Sequence, residues 1–241
     1  MRDPFHTMAA ALLAAILSGC QSMPTLTPVA SGDPALQRIT QMLAKQSHLE
    51  GRWSGQATLQ LAGKKFTGPA ILDYHGPRDF RLIIRSSDGS VLLDGMVNWA
   101  GATVFHTASS IKKPAAAALL TQLSLALEPP PNIKNAMEAE GLIILRQTRG
   151  DSHDYTWIFD EESGYWRRTE IEFGLWDVLR LEVPANDELG QPAAIMLTRP
   201  ARQEGLSLTF PVPDPSSGGG TEPSRGVKGN DSGHNPENQT P

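Results

Sequence analysis

Apolar and polar residues alternate along the stretch from Arg52 to Leu61, RWSGQATLQL. Trp53, Ala57 and Leu59 fall on one side of the alternation, whereas the residues between them are polar or small. A period of two places successive side chains on opposite faces of an extended chain. The pattern therefore predicts a β-strand with one buried face.

The same alternation recurs along the chain, with short turns such as Gly63-Lys64 and Ser87-Asp88-Gly89 between the runs. This spacing is typical of an antiparallel meander. A second series of alternating runs begins near residue 141. The two series predict about eleven strands, at 49–61, 66–75, 79–86, 90–98, 102–107, 141–148, 154–160, 165–173, 178–183, 193–199 and 205–210.

Helical spacing interrupts the alternation twice. Asp33 followed by Pro34 is typical of a helix N-cap and first position, and Leu36, Ile39 and Leu43 then form one apolar face. A second helix is predicted to start between residues 110 and 114 and to end before three consecutive prolines at 129–131. A brief helical turn is predicted at 132–139. The fold class expected is mainly β with a few helices.

The two ends of the chain differ in composition from this middle part. Residues 211–241 consist mostly of Pro, Gly, Ser, Asn and charged residues, too few of them apolar to offset the entropy of ordering, so we expect a disordered tail. Residues 20–33, with several Pro and Gly, are expected to form a lipidated N-terminus and a linker. The folded domain is then expected at 34–210.

Residues 1–19 are predicted to be a bacterial signal peptide. Arg2 precedes an apolar run from Met8 to Leu17, which is shorter than the roughly 17 residues that a spanning helix needs. The following Leu17-Ser18-Gly19-Cys20 resembles the lipobox of bacterial lipoproteins. The resemblance implies lipid attachment at the Cys20 sulfur and cleavage before Cys20. The alternative is a buried free cysteine, but Cys20 is followed by polar residues.

The resemblance also implies a location. Gln21 is not the aspartate that is linked with inner-membrane retention in known lipoproteins. We therefore expect a lipid-anchored protein on the periplasmic face of the outer membrane. The formal net charge of −5 argues against a nucleic-acid partner, which needs a basic face.

No motif for catalysis or cofactor binding is present. The sequence lacks G-x-S-x-G, H-E-x-x-H, P-loop and G-x-G-x-x-G patterns, and the histidines show no spacing for a metal. Ser152-His153-Asp154 contains the residue types of a catalytic triad, but consecutive residues cannot converge on one reaction centre. We expect no catalytic residue, no metal and no cofactor.

The order of elements resembles the LolA/LolB lipoprotein-carrier superfamily. A lipobox, a short helix, a five-strand meander opening with LEGRW (49–53), a helix ending at prolines and a second meander make up the resemblance. It implies an antiparallel, unclosed half-barrel with a helical lid on a concave face that accepts acyl chains. The lipid anchor favours the LolB side, an outer-membrane receptor that takes lipoproteins from a soluble periplasmic carrier.

One stretch departs from the receptor pattern. In the receptor, the loop between the third and fourth strands carries a protruding apolar residue that helps to place cargo in the membrane. The corresponding stretch here is IIRSSDGSVLL (83–93), and its turn is polar around Asp88. Because a carboxylate resists entering lipid, Asp88 in this candidate membrane-facing loop argues against insertion of cargo. A divergent receptor, a carrier of another amphiphile and a relative that has lost transport all remain open.

Apolar side chains on the strands and on the second helix are the candidates for a ligand cavity, although core packing explains them equally well. A filled half-barrel and an empty one need the same inward positions. We therefore weigh a binding module for acyl chains or lipoproteins against a non-catalytic envelope scaffold with a packed core and protein partners, and against an unrecognised hydrolase. The aromatic residues Trp99 and Trp166 also lie beside predicted strands. The candidate cavity comprises Trp53, Leu59, Leu82, Leu93, Phe105, Leu119, Leu120, Leu123, Trp157 and Phe159.

Overall fold

The computed structural model describes residues 25–46, 50–150, 153–184 and 193–211. Cys20, the expected signal peptide and residues 212–241 of the expected tail lie outside the described residues. Two helices lie within the described ranges, α1 (Pro34–Gln46) and α2 (Lys113–Leu127), together with one 3-10 turn at Pro200–Arg202. The strands there are β1 (Thr27–Pro28), β2 (Gly51–Leu61), β3 (Lys64–Gly76), β4 (Asp79–Arg85), β5 (Val91–Asn98), β6 (Gly101–Thr107), β7 (Met137–Ala139), β8 (Leu142–Thr148), β9 (Asp154–Asp160), β10 (Trp166–Gly174), β11 (Asp177–Glu182), β12 (Ala194–Arg199) and β13 (Glu204–Thr209).

All of these strands form one antiparallel sheet in the order β1-β7-β8-β9-β10-β11-β12-β13-β2-β3-β4-β5-β6. The two meanders join where β13 pairs with β2, with Leu206 opposite Leu59. The first and last strands of the order, β1 and β6, do not pair with each other, so the sheet is unclosed. The predicted fold class, a mainly-β antiparallel half-barrel, is confirmed.

The eleven predicted strands all occur, and two short strands, β1 and β7, are additional. The helical turn predicted at 132–139 is wrong in its last part, because Met137–Ala139 pairs with β8. Glu140 and Gly141 both have positive φ, 52° and 76°, which is the geometry of a tight hairpin turn. Thr27 and Pro28 pair with β7, so the sheet includes residues that the sequence assigned to the linker.

Helix α2 shows that the sheet is strongly curved. It contacts β5 and β6, which lie at one end of the strand order. It also contacts β10 and β11, which lie in the other half of the sheet. In a flat sheet, β6 and β11 would lie roughly 30 Å apart, whereas a helix with its side chains is about 10 Å wide. The sheet must therefore wrap around α2, which places this helix on the concave face.

Close packing fixes both helices on the sheet. A methyl group added to Gly95 of β5 would lie 2.5 Å from Cδ1 of Leu120, so the leucine occupies the space that the glycine leaves. Helix α1 starts as predicted, because the Asp33 carboxylate accepts a hydrogen bond of 2.8 Å from the Ala35 N–H. Arg38 then donates to the carbonyl of Glu161, which attaches α1 to the turn between β9 and β10.

Candidate functional site

An apolar pocket of about 490 Å³ lies at one end of the strands. Because neighbouring strands are antiparallel, the β3–β4 and β5–β6 turns share this end with the starts of β2, β10 and β12. We call this end of the sheet the pocket end. The opposite end, where the β4–β5 and β10–β11 turns lie, is called the tip end. The C-terminal residues of α2 complete the lining, which includes Leu43, Trp53, Tyr74, Trp99, Leu127 and Val183.

Stacked aromatic rings form one wall of the pocket. The rings of Trp53 and Tyr74 are nearly parallel, with centroids 5.4 Å apart, and Phe210 packs edge-on against Trp53 at 5.7 Å. Phe80 also stacks with Tyr74, with centroids 6.5 Å apart. Burial raises the pKa of Tyr74 from its ordinary value of 10.0 to about 12, because the phenolate would be poorly solvated. The wall is therefore uncharged over the physiological pH range.

A charged cluster lies beside the pocket where α2 ends, with Arg78 and Glu128 in the lining. Arg78 Nε lies 2.5 Å from Glu128 Oε1, and Arg149 Nη1 donates to Oε2 of the same carboxylate. The Glu128 carbonyl accepts a hydrogen bond of 2.9 Å from the Trp157 indole. The guanidinium of Arg149 also lies over the Tyr155 ring at 4.5 Å. Each oxygen of Glu128 thus has a donor, so the carboxylate does not need a ligand to satisfy it.

Trp99 and Trp166 add an amphipathic rim. Trp99 sits in the β5–β6 turn with 82% of its surface exposed, and Arg78 lies over its ring at 5.6 Å. The indole Nε1 of Trp166 is buried and has no hydrogen-bond partner among the described residues. The pocket therefore combines an apolar interior with one unused N–H donor in its lining.

Only one of the ten candidate cavity residues, Trp53, lines this pocket. Phe105 lies on the edge strand β6 with 48% of its surface exposed, and Arg81 covers its ring at 5.5 Å. The remaining eight are at most 1% exposed because they fill the core between the sheet and α2. These core residues are Leu59, Leu82, Leu93, Leu119, Leu120, Leu123, Trp157 and Phe159.

The burial of these residues bears on the expectation that α2 is a lid over a ligand cavity. In a lid over an acyl-chain groove, the candidate cavity residues Leu119, Leu120 and Leu123 would border free volume. They are fully buried instead, and free volume remains beside Leu127 and Glu128, at the C-terminal end of the helix. Most of α2 therefore covers a packed core.

Sequence reasoning missed Tyr74, Glu128 and Val183 as pocket residues. Each lies at the end of a strand or helix, where the alternation that marks inward positions stops. The signal that was available lay in Trp99 and Trp166, aromatic residues beside turns, where polar residues are the norm.

Asp88 lies in the exposed turn between β4 and β5, as predicted, at the tip end. Its carboxylate accepts hydrogen bonds from the Ser86 hydroxyl and from the Ser90 N–H, the latter at 2.9 Å. The Ser86 bond, followed by those from Ser90, lowers the pKa of Asp88 to about 2. The carboxylate is therefore charged at any physiological pH.

The described part of the chain contains no group of three or more His, Cys, Asp or Glu side chains arranged to hold a metal ion. Within the same residues, neither α-helix is long and apolar enough to cross a membrane.

Comparisons with known proteins give structural similarity only. The structure is similar to that of a LolA superfamily protein from Nitrosomonas europaea, with 9% identity, a TM-score of 0.41, and coverage of 72% of this chain and 91% of that one. It is also similar to a DUF1329 family protein from Desulfovibrio piger, with 13% identity, a TM-score of 0.35, and coverage of 74% and 92%. At these TM-scores the similarities carry no conclusion about function. No protein-family model matches the sequence, and no curated protein matches it.

Proposed function

We propose that the protein is a lipid-anchored periplasmic binding module that accepts an acyl chain, of a lipid or of a lipoprotein, in the pocket at the pocket end. The observation that carries this proposal is the pocket itself. Its volume of about 490 Å³ lies within the range of roughly 300–1,000 Å³ that is typical of small-molecule sites.

The chemistry of the lining supports an acyl chain over a polar ligand. The side chains of Leu72, Leu127 and Val183 offer only apolar surface. The one buried carboxylate, that of Glu128, is already bound by two guanidinium groups. A hydrocarbon chain needs no hydrogen-bond partner, and its transfer from water contributes about 0.8 kcal/mol per methylene.

The cellular setting in this proposal comes from the sequence. Lipid attachment at Cys20 would hold the domain on the periplasmic face of the outer membrane. A soluble periplasmic carrier would then deliver lipoprotein or amphiphile cargo to the pocket. The resemblance to the LolA/LolB superfamily motivates both the cargo class and the carrier.

Binding of a fluorescent fatty acid, 11-(dansylamino)undecanoic acid, tests the pocket. Leu43 of α1 is half-buried and lines the pocket, so Leu43→Trp should fill part of the volume and weaken binding about tenfold or more. Gln41 lies exposed on the same helix, and Gln41→Trp is the matched control. Equal affinities of the two variants, at equal thermal stability, would contradict binding in this pocket.

Mass spectrometry of organic extracts tests the ligand class. The purified chain, washed free of detergent, should release fatty acids, phospholipid or acylated peptide, and Leu43→Trp should release less than Gln41→Trp. Extracts without any amphiphile, together with no probe binding, would contradict the proposal.

A non-catalytic scaffold is the second candidate, and the burial of the α2 leucines favours it. Leu119, Leu120 and Leu123 are as tightly packed as in an ordinary core. A scaffold would bind no fatty acid and would co-purify with a protein partner at fixed stoichiometry. The probe titration therefore distinguishes the two functions.

A further inference from the structure

The hairpin between β10 and β11 ends in two projecting apolar side chains. Gly174 pairs with Asp177, which leaves Leu175 and Trp176 as a two-residue turn. Their surfaces are 93% and 90% exposed, more than those of any other large apolar residue in the described ranges. Both lie at the tip end, remote from the pocket.

Folding alone does not account for these residues. Turn positions are mostly occupied by Gly, Pro, Asn, Asp and Ser. The longer β4–β5 turn at the same end has this composition, with Asp88 hydrogen-bonded to the Ser90 N–H. Leu175 and Trp176 instead keep apolar surface in water without packing against the core.

The base of the hairpin holds this tip rigidly. Arg199 donates to both oxygens of Asp177, at 2.7 Å each, and its guanidinium lies 4.3 Å from the centre of the Phe173 ring. Arg202 approaches the same carboxylate at 3.6 Å. The bidentate pair joins β11 to β12, and the contact of Arg199 with Phe173 joins the same arginine to β10 just below the turn. The apolar side chains of Leu175 and Trp176 therefore project beyond a network of charged residues around Asp177.

We propose that Leu175 and Trp176 insert into the surface of a phospholipid bilayer. Trp favours the membrane–water interface, and Leu beside it suits the acyl boundary just below the headgroups. Asp177 with its arginines would remain at headgroup level and limit the depth of insertion. This contact goes beyond the proposed function, because it needs neither the pocket nor Cys20.

Area and charge favour a lipid surface over a protein partner. Full burial of one Leu and one Trp covers a few hundred Å², whereas a standard protein interface buries about 800 Å² on each partner. At the base, Asp177 pairs with both Arg199 and Arg202, and Glu204 adds a second negative charge near Arg199. The contact should therefore be driven by apolar insertion and be insensitive to salt.

Quenching by brominated lipid tests the position of the tip. The full-length chain is reconstituted with phosphatidylcholine vesicles whose acyl chains carry bromine near the headgroup, and tryptophan emission is measured. The chain has five tryptophans. Trp176→Phe should abolish the quenching that comes from the bilayer surface, whereas Trp99→Phe should remove only the quenching that an acyl chain in the pocket causes. Trp99 is the comparison because it is 82% exposed and lines the pocket.

The outcomes separate this inference from the proposed function. Quenching that disappears in Trp99→Phe or Trp53→Phe, and persists in Trp176→Phe, would place the lipid in the pocket. That result would overturn insertion of the tip and support the pocket. No quenching in any variant would also overturn insertion, and the fatty-acid titration would still decide the pocket independently.

Vesicle flotation measures the strength of the contact. Full-length chain carrying Cys20→Ser is compared with the same chain carrying Leu175→Asp or Leu26→Asp as well. Leu175→Asp should weaken partitioning about tenfold, since it loses an apolar side chain and adds a charge. Leu26 is 50% exposed and lies outside the pocket, so Leu26→Asp should not change partitioning, and about 0.5 M salt should have little effect in any variant. Equal partitioning of the two Asp variants would overturn the inference.

Discussion

The pocket end and the tip end of the sheet both carry aromatic and aliphatic side chains, but the surface is concave at the pocket end and convex at the tip end. At the pocket end, Trp53 and Tyr74 line a concavity whose apolar surface faces empty volume. At the tip end, Leu175 and Trp176 project from a hairpin into solvent. Between them, the core of the half-barrel is filled.

The difference indicates two kinds of apolar contact in one molecule. A concave surface can enclose a single chain, because it supplies contacts on several sides. A convex tip can only enter a medium that closes around it, such as a bilayer. Strand β10 has nine residues, so its two ends lie about 30 Å apart. A domain resting on its tip would thus keep the pocket away from the lipid.

The largest expected effect concerns the packed region between the two ends. Leu120 is fully buried against Gly95, so Leu120→Ala should lower the free energy of unfolding by about 2 to 5 kcal/mol. Leu125 is only partly buried on the same helix, and Leu125→Ala should cost less. Urea denaturation measures both. A small loss for Leu120→Ala would show that free volume extends along α2 and is not confined to the pocket end.

A smaller effect on the free energy of unfolding is expected at alkaline pH. It tests whether water is excluded from the Tyr74 hydroxyl at the pocket end. The pKa of Tyr74 is about 12 in the folded chain and near 10 when unfolded, so between these pH values the folded state retains a proton that the unfolded state has lost. The stability contributed by the neutral phenol is therefore complete below pH 10 and falls as the pH rises toward 12.

Tyr74→Phe should remove this pH dependence, which amounts to about 1.4 kcal/mol by pH 11, one unit above the unfolded pKa. Urea midpoints of both proteins between pH 8 and 11 measure it, and their difference cancels the titration of the other residues. If the two proteins lose stability in parallel, water reaches the Tyr74 hydroxyl and the pocket is wetter than the geometry indicates.

The smallest effect is expected at the tip end. Leu175→Ser combined with Trp176→Ser should change the free energy of unfolding by less than about 0.5 kcal/mol, because neither side chain is packed. Thermal denaturation of the chain carrying Cys20→Ser, with and without the two Ser substitutions, measures the change. A loss of several degrees would mean that the tip packs against other parts of the chain and is not free for a membrane.

The fold could be predicted well because its signal is local. Alternation over seven or more residues marks β2 or β9 without knowledge of any partner. β1 and β7 could not be recognised, since two or three residues are too short to show a period. The prediction that the sheet is unclosed came from the resemblance to the carrier superfamily, because alternation alone does not show whether a sheet closes into a barrel.

The pocket residues were predictable only in part. Alternation shows which side chains face inward, but it does not show which of them line a cavity. Trp53 and Leu59 lie on the same face of β2, yet only Trp53 reaches free volume. Whether an inward position meets another side chain or a cavity depends on how far α2 extends over it. The tip had a readable signal, since Leu175 and Trp176 fill a predicted turn, where apolar residues are unusual.

The open sheet raises one further issue, the two rows of backbone groups at its edges. An unpaired edge can recruit a strand from another copy of the chain and start aggregation. At one edge, β1 is two residues long and contains Pro28, which has no N–H to offer. At the other, Phe105 forms a bulge opposite Asp94 and Gly95, and the Lys113 ammonium donates to its carbonyl at 3.3 Å. Concentrated solutions of the chain should therefore remain free of edge-to-edge association.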